Sequence, residues 1–238
     1  TTPSGVPLTI TLQGKDINGT NVESGGATVQ IFYTGGVSDF YESFPLSATD
    51  LGNGTYAATL KGRIAGSATT LRARINGQEI ADSWPIAVTP GAISTTQSIL
   101  TSVNGLASVA SGSDITLRLT AHDAAGNRLI TGGANIAIEY GSGGSDFTQA
   151  SPVAAQDRHD GTYDVTLTGY KADGATALTA RINSAPSSAN TVITVTPGPI
   201  SPTTTRIASS ATSVAAGQDL VITVTAYDAA NNLSLIHI

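Results

Sequence analysis

The sequence has no cysteine and no methionine. Without cysteine, disulfides, thiolate zinc sites and cysteine nucleophiles are all excluded. Charge is scarce too, at 12% of 238 residues, and 11 Lys and Arg stand against 17 Asp and Glu. Only three lysines occur, Lys15, Lys61 and Lys171. A net charge of -6 with no basic cluster repels nucleic acid and anionic membrane, so neither is expected as a partner. Apolar runs are strand-sized and fall short of the roughly 18 residues of a spanning helix, so this segment should not insert directly into a membrane. Residues Thr1–Pro7 have neither the basic nor the apolar stretch of a signal peptide, and an N-terminus internal to a longer protein is expected. Helix formers are sparse, and no segment holds a 3.6-residue period over ten residues.

Glycine, threonine and serine fill the space these absences leave, and they are arranged in a repeat. Gly54-Thr55-Tyr56 recurs as Gly161-Thr162-Tyr163, and Gly25-Gly26-Ala27 as Gly132-Gly133-Ala134. Ala73-Arg74-Ile75-Asn76 recurs as Ala180-Arg181-Ile182-Asn183, and Val88-Thr89-Pro90-Gly91 as Val195-Thr196-Pro197-Gly198. Every pair is offset by 107 residues. Laid over 108–201 without gaps, residues 1–94 are identical at 39 positions, which marks a duplication. A third copy starts after Ile200. Its Thr225-Ala226-Tyr227-Asp228-Ala229-Ala230 matches Thr120-Ala121-His122-Asp123-Ala124-Ala125 at an offset of 105. The expected organisation is a first copy over 1–92 lacking its opening strand, a complete copy over 93–199 and a truncated third over 200–233. A non-native tail is expected at 234–238. The third copy should hold at most two strands, too few to bury a face.

Within the complete copy, apolar residues alternate. Ile115, Leu117, Leu119 and Ala121 make one inward row, and Ile136, Ile138 and Tyr140 a second. Tyr163, Val165 and Leu167 make a third, Leu178, Ala180 and Ile182 a fourth, and Ile193 and Val195 a last. An early strand near 98–103 and a weak one near 147–156 bring the count to about seven. Asp123 to Asn127 reads as a turn closed by an Asp side chain. Asp160-Gly161 and Asn53-Gly54 are short hairpin signals. The fold class is therefore all-β: tandem immunoglobulin-like β-sandwich domains of about seven strands each, head to tail through short Thr-Pro-Gly joints.

Three groups of residues invite a chemical reading. Asp16, Asp123 and Asp228 recur at one turn, where calcium at the domain joints is one reading and side-chain turn closure the other. No Asp-x-Asp-x-Asp-Gly run accompanies them, and turn closure explains the spacing as well. Asp50, Gly54 and Tyr56, with their counterparts Asp157, Gly161 and Tyr163, read as a structural turn and core motif. Asn18 and Asn53 fit the N-glycosylation pattern, and Asn-Gly is also plain turn chemistry. His122, His159 and His237 lack metal-ligand spacing. Trp84 is the only Trp, and its counterpart is Thr191, so a repeated sugar platform is not expected. No Ser-His-Asp set, P-loop or dinucleotide fingerprint occurs. Neither catalytic residues nor cofactors are expected, and the chain reads as a non-enzyme.

The Asp-x-x-Gly-Asn turn before a Gly-Gly strand, the Asp-Gly-Thr-Tyr strand start, Ala-Arg-Ile-Asn-Gly and the closing Val-Thr-Pro-Gly resemble filamin-type repeats. Ile80 to Ile86 is similar to the segment leading into the last filamin strand, but carries Trp84 before its Pro. The same cues resemble invasin- and intimin-type bacterial Ig-like repeats. These resemblances imply a structural or adhesive rod segment of a larger multi-repeat protein at a cell surface or secreted, with a protein or cell-surface ligand as partner. Few lysines beside abundant Thr, Ser and Gly lean the same way. Two alternatives are a cytoplasmic filamin-like scaffold that takes partner peptides by strand addition, and a spacer in a secreted polysaccharide-active enzyme.

Overall fold

Residues 1–234 are described by a computed structural model. The tail expected at 234–238 lies, from 235 on, outside the described residues. Among the described residues there is no helix, so none is long and apolar enough to cross a membrane. The chain divides into two compact units. One comprises Thr1–Gln97 with Ala121–Ile130, and the other Ser98–Thr120 with Thr131 onward. The 121–130 turn thus follows the opening strands of the second copy in sequence, yet packs with the first.

The second unit is a sandwich of two sheets. Strands Ile99–Ser102, Asp114–Thr120, Thr162–Lys171 and Asp146–Phe147 lie in that order in one sheet, and Gln156–Asp157 also pairs with Thr162–Lys171. Ser108–Ala110, Ala185–Thr196, Thr176–Ile182, Ile136–Tyr140 and Val153–Ala154 form the other. All pairings are antiparallel except Ser108–Ala110 with Ala185–Thr196. Alternation with period two sends one side chain of each pair between the sheets. Leu117, Leu167, Leu178, Ala180 and Ile193 are fully buried there, and Leu119, Ile136, Ile138, Tyr163 and Ile182 nearly so. On the outer face, Thr116 meets Thr166 and Arg118 meets Asp164 as direct register partners.

Sequence alternation finds the long strands and misses the short ones. The weak strand expected near 147–156 is three two-residue pieces, Asp146–Phe147, Val153–Ala154 and Gln156–Asp157, shared between both sheets. Parallel strand Ser108–Ala110 was not anticipated; three residues are too few to show a period. Asp160-Gly161 does not make a two-residue hairpin either. Asp157 pairs with Tyr163, Arg158 donates its N–H to the Thr162 carbonyl, and the loop between is wider.

The first unit repeats this plan with one difference. Pro7–Gln13 pairs with Thr55–Ile64 as Asp114–Thr120 pairs with Thr162–Lys171. Parallel pair Thr2–Pro3 with Val88–Thr89 matches Ser108–Ala110 with Ala185–Thr196. Nothing in this unit corresponds to Ile99–Ser102, so the outer edge of Pro7–Gln13 has no strand against it. The consequence reaches the core. Leu8, Ile10 and Leu12 are only half-buried, whereas their counterparts Ile115, Leu117 and Leu119 are buried.

After Ile200 the second unit carries a two-stranded ribbon, Arg206–Ser209 against Ile222–Thr225. Its apolar side chains are in water: Ile207 is 73% exposed, Ile222 57% and Val224 63%. The turn that follows is different, since Asp228 and Asn232 are buried.

Candidate functional site

Two turn motifs and one groove hold the polar and exposed apolar groups that stand out. The first motif joins Asp-Gly-Thr-Tyr to Gly-Gly-Ala, which lie far apart in sequence. Asp50 accepts from the Gly26 N–H at 2.6 Å and the Gly52 N–H at 2.8 Å. Asp157 accepts from Gly133 at 2.7 Å and His159 at 2.8 Å. Hydrogen bonds to an ionised carboxylate favour that form. Gly26 and Gly52 accordingly hold the Asp50 carboxyl below its ordinary value. His159 and Gly133 do the same for Asp157. One strand further on, the Tyr56 hydroxyl accepts from the Ala27 N–H at 3.0 Å, and the Tyr163 hydroxyl from Ala134 at 3.1 Å. Both rings are buried, so each tyrosine packs the core and caps a backbone group. Gly54 and Gly161 have φ of 76° and 80°. A Cβ at Gly54 would also lie 1.8 Å from the Val22 carbonyl oxygen. Only glycine adopts that turn without strain.

The second motif is built on Asp123 and Asp228. Asp123 Oδ1 accepts from the Ala125 and Asn127 N–H groups, each at 2.9 Å. Its Oδ2 accepts from the Gly91 N–H and the Asn127 side-chain amide, each at 2.8 Å. Asp228 repeats the set with Ala230, Asn232 and Gly198. Burial works to raise both carboxyls, but the donors outweigh it and both sit below the usual carboxylate value. Asn127 then acts as a piece of strand edge. Its Nδ2 donates to the Arg63 carbonyl at 2.8 Å, and its Oδ1 accepts from the Ala65 N–H at 2.9 Å. Asn232 does the same with Tyr170 at 2.8 Å and Ala172 at 2.7 Å. Sequence reading placed Asn127 in a turn, saw in Asn232 only an Asn-Leu-Ser glycosylation pattern, and gave neither a partner on a strand edge. The paired recurrence of Asp-x-x-x-Asn after each Pro-Gly was the available signal. Gly91 and Gly198 allow the approach, since a Cβ on either would meet the Ser4 or Ser111 carbonyl oxygen at 2.4 or 2.5 Å.

Asp16 is the odd member. It is exposed, and its Oδ1 accepts from the Asn18 and Thr20 N–H groups at 2.9 and 2.8 Å. Asp16, Asp123 and Asp228 therefore sit at three separate turns. Among the described residues, no group of three or more His, Cys, Asp or Glu is placed to hold a metal ion. Asn18 and Asn53 are exposed in turns, and Asn53 Oδ1 accepts from the Thr55 N–H at 3.1 Å. His159 is exposed beside Asp157, His122 pairs with Arg128 in a single bridge, and His237 is outside the described residues.

The groove follows from the unpaired edge of the first unit. Leu8, Ile10 and Leu12 form one wall, and Leu71, Ile80 and Trp84 line it from the other sheet, around an open groove of about 670 Å³. Trp84 is 72% exposed although it has the same parity along its strand as buried Ile86. Its counterpart Thr191 is half-buried. The exposed tryptophan thus lies on a face that the described residues leave uncovered, not at an outward-facing position.

Comparison with known proteins agrees with this architecture. No curated protein matches the chain. Among solved structures, the Escherichia coli adhesin FdeC is 22% identical with a TM-score of 0.54, over 97% of this chain and 71% of that one. Invasin, described as a bacterial integrin-binding protein, is 20% identical with a TM-score of 0.48, over 98% of this chain and 45% of that one. Yersinia pseudotuberculosis InvD is 24% identical with a TM-score of 0.47, covering 98% and 69%. The family described as invasin, domain 3, matches over residues 6–91 and again over 94–198. Of the two resemblances in the sequence, the invasin type is the one this match supports, and the chain belongs to the invasin domain 3 family.

Proposed function

We propose that the chain is a structural, adhesive segment of a larger multi-repeat protein at a bacterial surface, with no catalytic role. The observation that carries this reading is the double family match, over 6–91 and 94–198. Two copies over 1–92 and 93–199 with a third begun at 200 fit that reading. So does the chemistry of the repeated turns. Every carboxylate in them is engaged by N–H donors that close the backbone, which is work done for the fold. Asp16, Asp123 and Asp228 belong to turn closure in this account, and Asn18 and Asn53 are turn residues. The partner is a host protein or cell-surface ligand, as the integrin named for invasin illustrates. A cytoplasmic filamin-like scaffold and a spacer in a polysaccharide-active enzyme find no comparable support.

Protease shaving of intact source cells tests the localisation. Peptides from 1–199 should be released without lysis, and antibodies to the chain should reduce attachment of the cells to host cells. Recovery of these peptides only after lysis would refute the proposal.

A further inference from the structure

Each sandwich is finished by a side chain that the next copy supplies. Strand Thr55–Ile64 runs on past Lys61, the residue opposite Pro7, and Thr162–Lys171 runs on past Thr168, opposite Asp114. Near the end of the first strand, the Arg63 carbonyl and the Ala65 N–H take the Asn127 amide. At the end of the second, the Tyr170 carbonyl and the Ala172 N–H take that of Asn232. A carbonyl and an N–H two residues apart are what a single residue of a parallel strand would pair. Asn127 belongs to the second copy in sequence, yet it lies in the first compact unit. Asn232 belongs to the third copy and lies in the second unit.

The fit is the same both times. Ser4 Oγ donates to the Arg63 carbonyl at 3.1 Å, and Ser111 Oγ to the Tyr170 carbonyl at 3.0 Å, so each receiving carbonyl is fixed from within its own sandwich. Asp123 holds Asn127 from behind and grips Gly91, as Asp228 holds Asn232 and grips Gly198. The chain between the grips is not the same length. Asp123 follows Gly91 by 32 residues, and Asp228 follows Gly198 by 30. The four bonds to the strand ends nonetheless all fall between 2.7 and 2.9 Å. A turn that keeps its position while its connection loses two residues is placed by the strand end it meets.

We propose that the end of the ten-residue strand is a docking seat for the Asp-x-x-x-Asn turn of the repeat that follows, so that each sandwich draws part of its stability from the next copy. The partner is a further repeat, recognised by an Asn four residues after a turn-closing Asp. Thr20, the first-copy counterpart of Asn127, has no amide and could not bridge the two groups. Without the Asn, a backbone carbonyl and N–H lose their partner and the strand end opens more readily. Stability then includes a term between neighbours, as in other repeat arrays. It runs in one direction, from each copy back to the one before it.

Hydrogen exchange of the 238-residue chain, followed by mass spectrometry in Thr55–Ile64 and Thr162–Lys171, tests this with Asn127→Ala and Asn232→Ala. Asn127→Ala should speed exchange in Thr55–Ile64 by roughly five- to thirtyfold, the net worth of one or two hydrogen bonds, and leave Thr162–Lys171 as in the wild type. Asn232→Ala should do the reverse. A first sandwich that unfolds outright in Asn127→Ala, with the second still protected, is the same result in larger measure. Exchange that rises in Asp114–Thr120 and not in Thr55–Ile64 would confine Asn127 to its own copy and overturn the proposal. Unchanged exchange in both variants overturns it as well.

Discussion

The ring of Tyr163 is buried while its hydroxyl accepts from the Ala134 N–H 3.1 Å away. Alternation with Val165 and Leu167 made the buried ring readable from sequence. The hydroxyl's partner was not readable, because it lies 29 residues away across a loop. Tyr163→Phe keeps the packing and leaves that N–H unpaired, so it should cost about 1–2 kcal/mol. Urea unfolding should show a lower midpoint at unchanged slope. Acid is the second lever at this scale. Asp164 is held below its ordinary value by Arg118, whose Nε and Nη2 donate to it at 2.7 and 2.8 Å. The carboxyls of Asp123 and Asp228 are lowered as well. A carboxyl lowered on folding contributes stability that is fully present above its unfolded value, 3.8 here, and lost as pH falls through the folded value. Stability should therefore be level near neutrality and fall only below about pH 4. Asp164→Asn should make that fall shallower. An acid limb that Asp164→Asn leaves unchanged would remove Asp164 from this account.

Two equivalent strands differ because of what lies beside them. Pro7–Gln13 and Asp114–Thr120 share Thr9 with Thr116 and Leu12 with Leu119, and both pair inward with a ten-residue strand. Only the second is covered on its other edge. Hydrogen exchange should find the outer-edge amides of Pro7–Gln13 open and those of Asp114–Thr120 protected, since an edge amide without a partner exchanges directly with water whereas a paired one must first open. Equal protection would mean the groove is already filled. This difference was half legible in the sequence. The missing opening strand could be inferred from register, but the groove and the exposure of Trp84 could not, because a sequence lists strands without saying which edge each one covers. The edge role of Asn127 was hidden for the same reason: the Arg63 carbonyl it meets is 64 residues away.

At the scale of the whole molecule, the 107-residue period made the fold class legible, since identities at one offset force one architecture on both copies. Function was legible only through the family, because the repeated polar groups spend their hydrogen bonds on the backbone. If turn closure is their whole task, chelators should leave the protein unchanged. The thermal midpoint should be the same in excess calcium and in EDTA, and a rise with calcium would put a cation at Asp16, Asp123 or Asp228. The central claim is that the chain holds two copies of one sandwich, each a compact unit of its own. Pulling the chain between its ends in a force spectrometer tests that most directly. The account predicts two separate unfolding steps, each lengthening the chain by on the order of 30 nm. A single step, or gradual lengthening without a force peak, would contradict it.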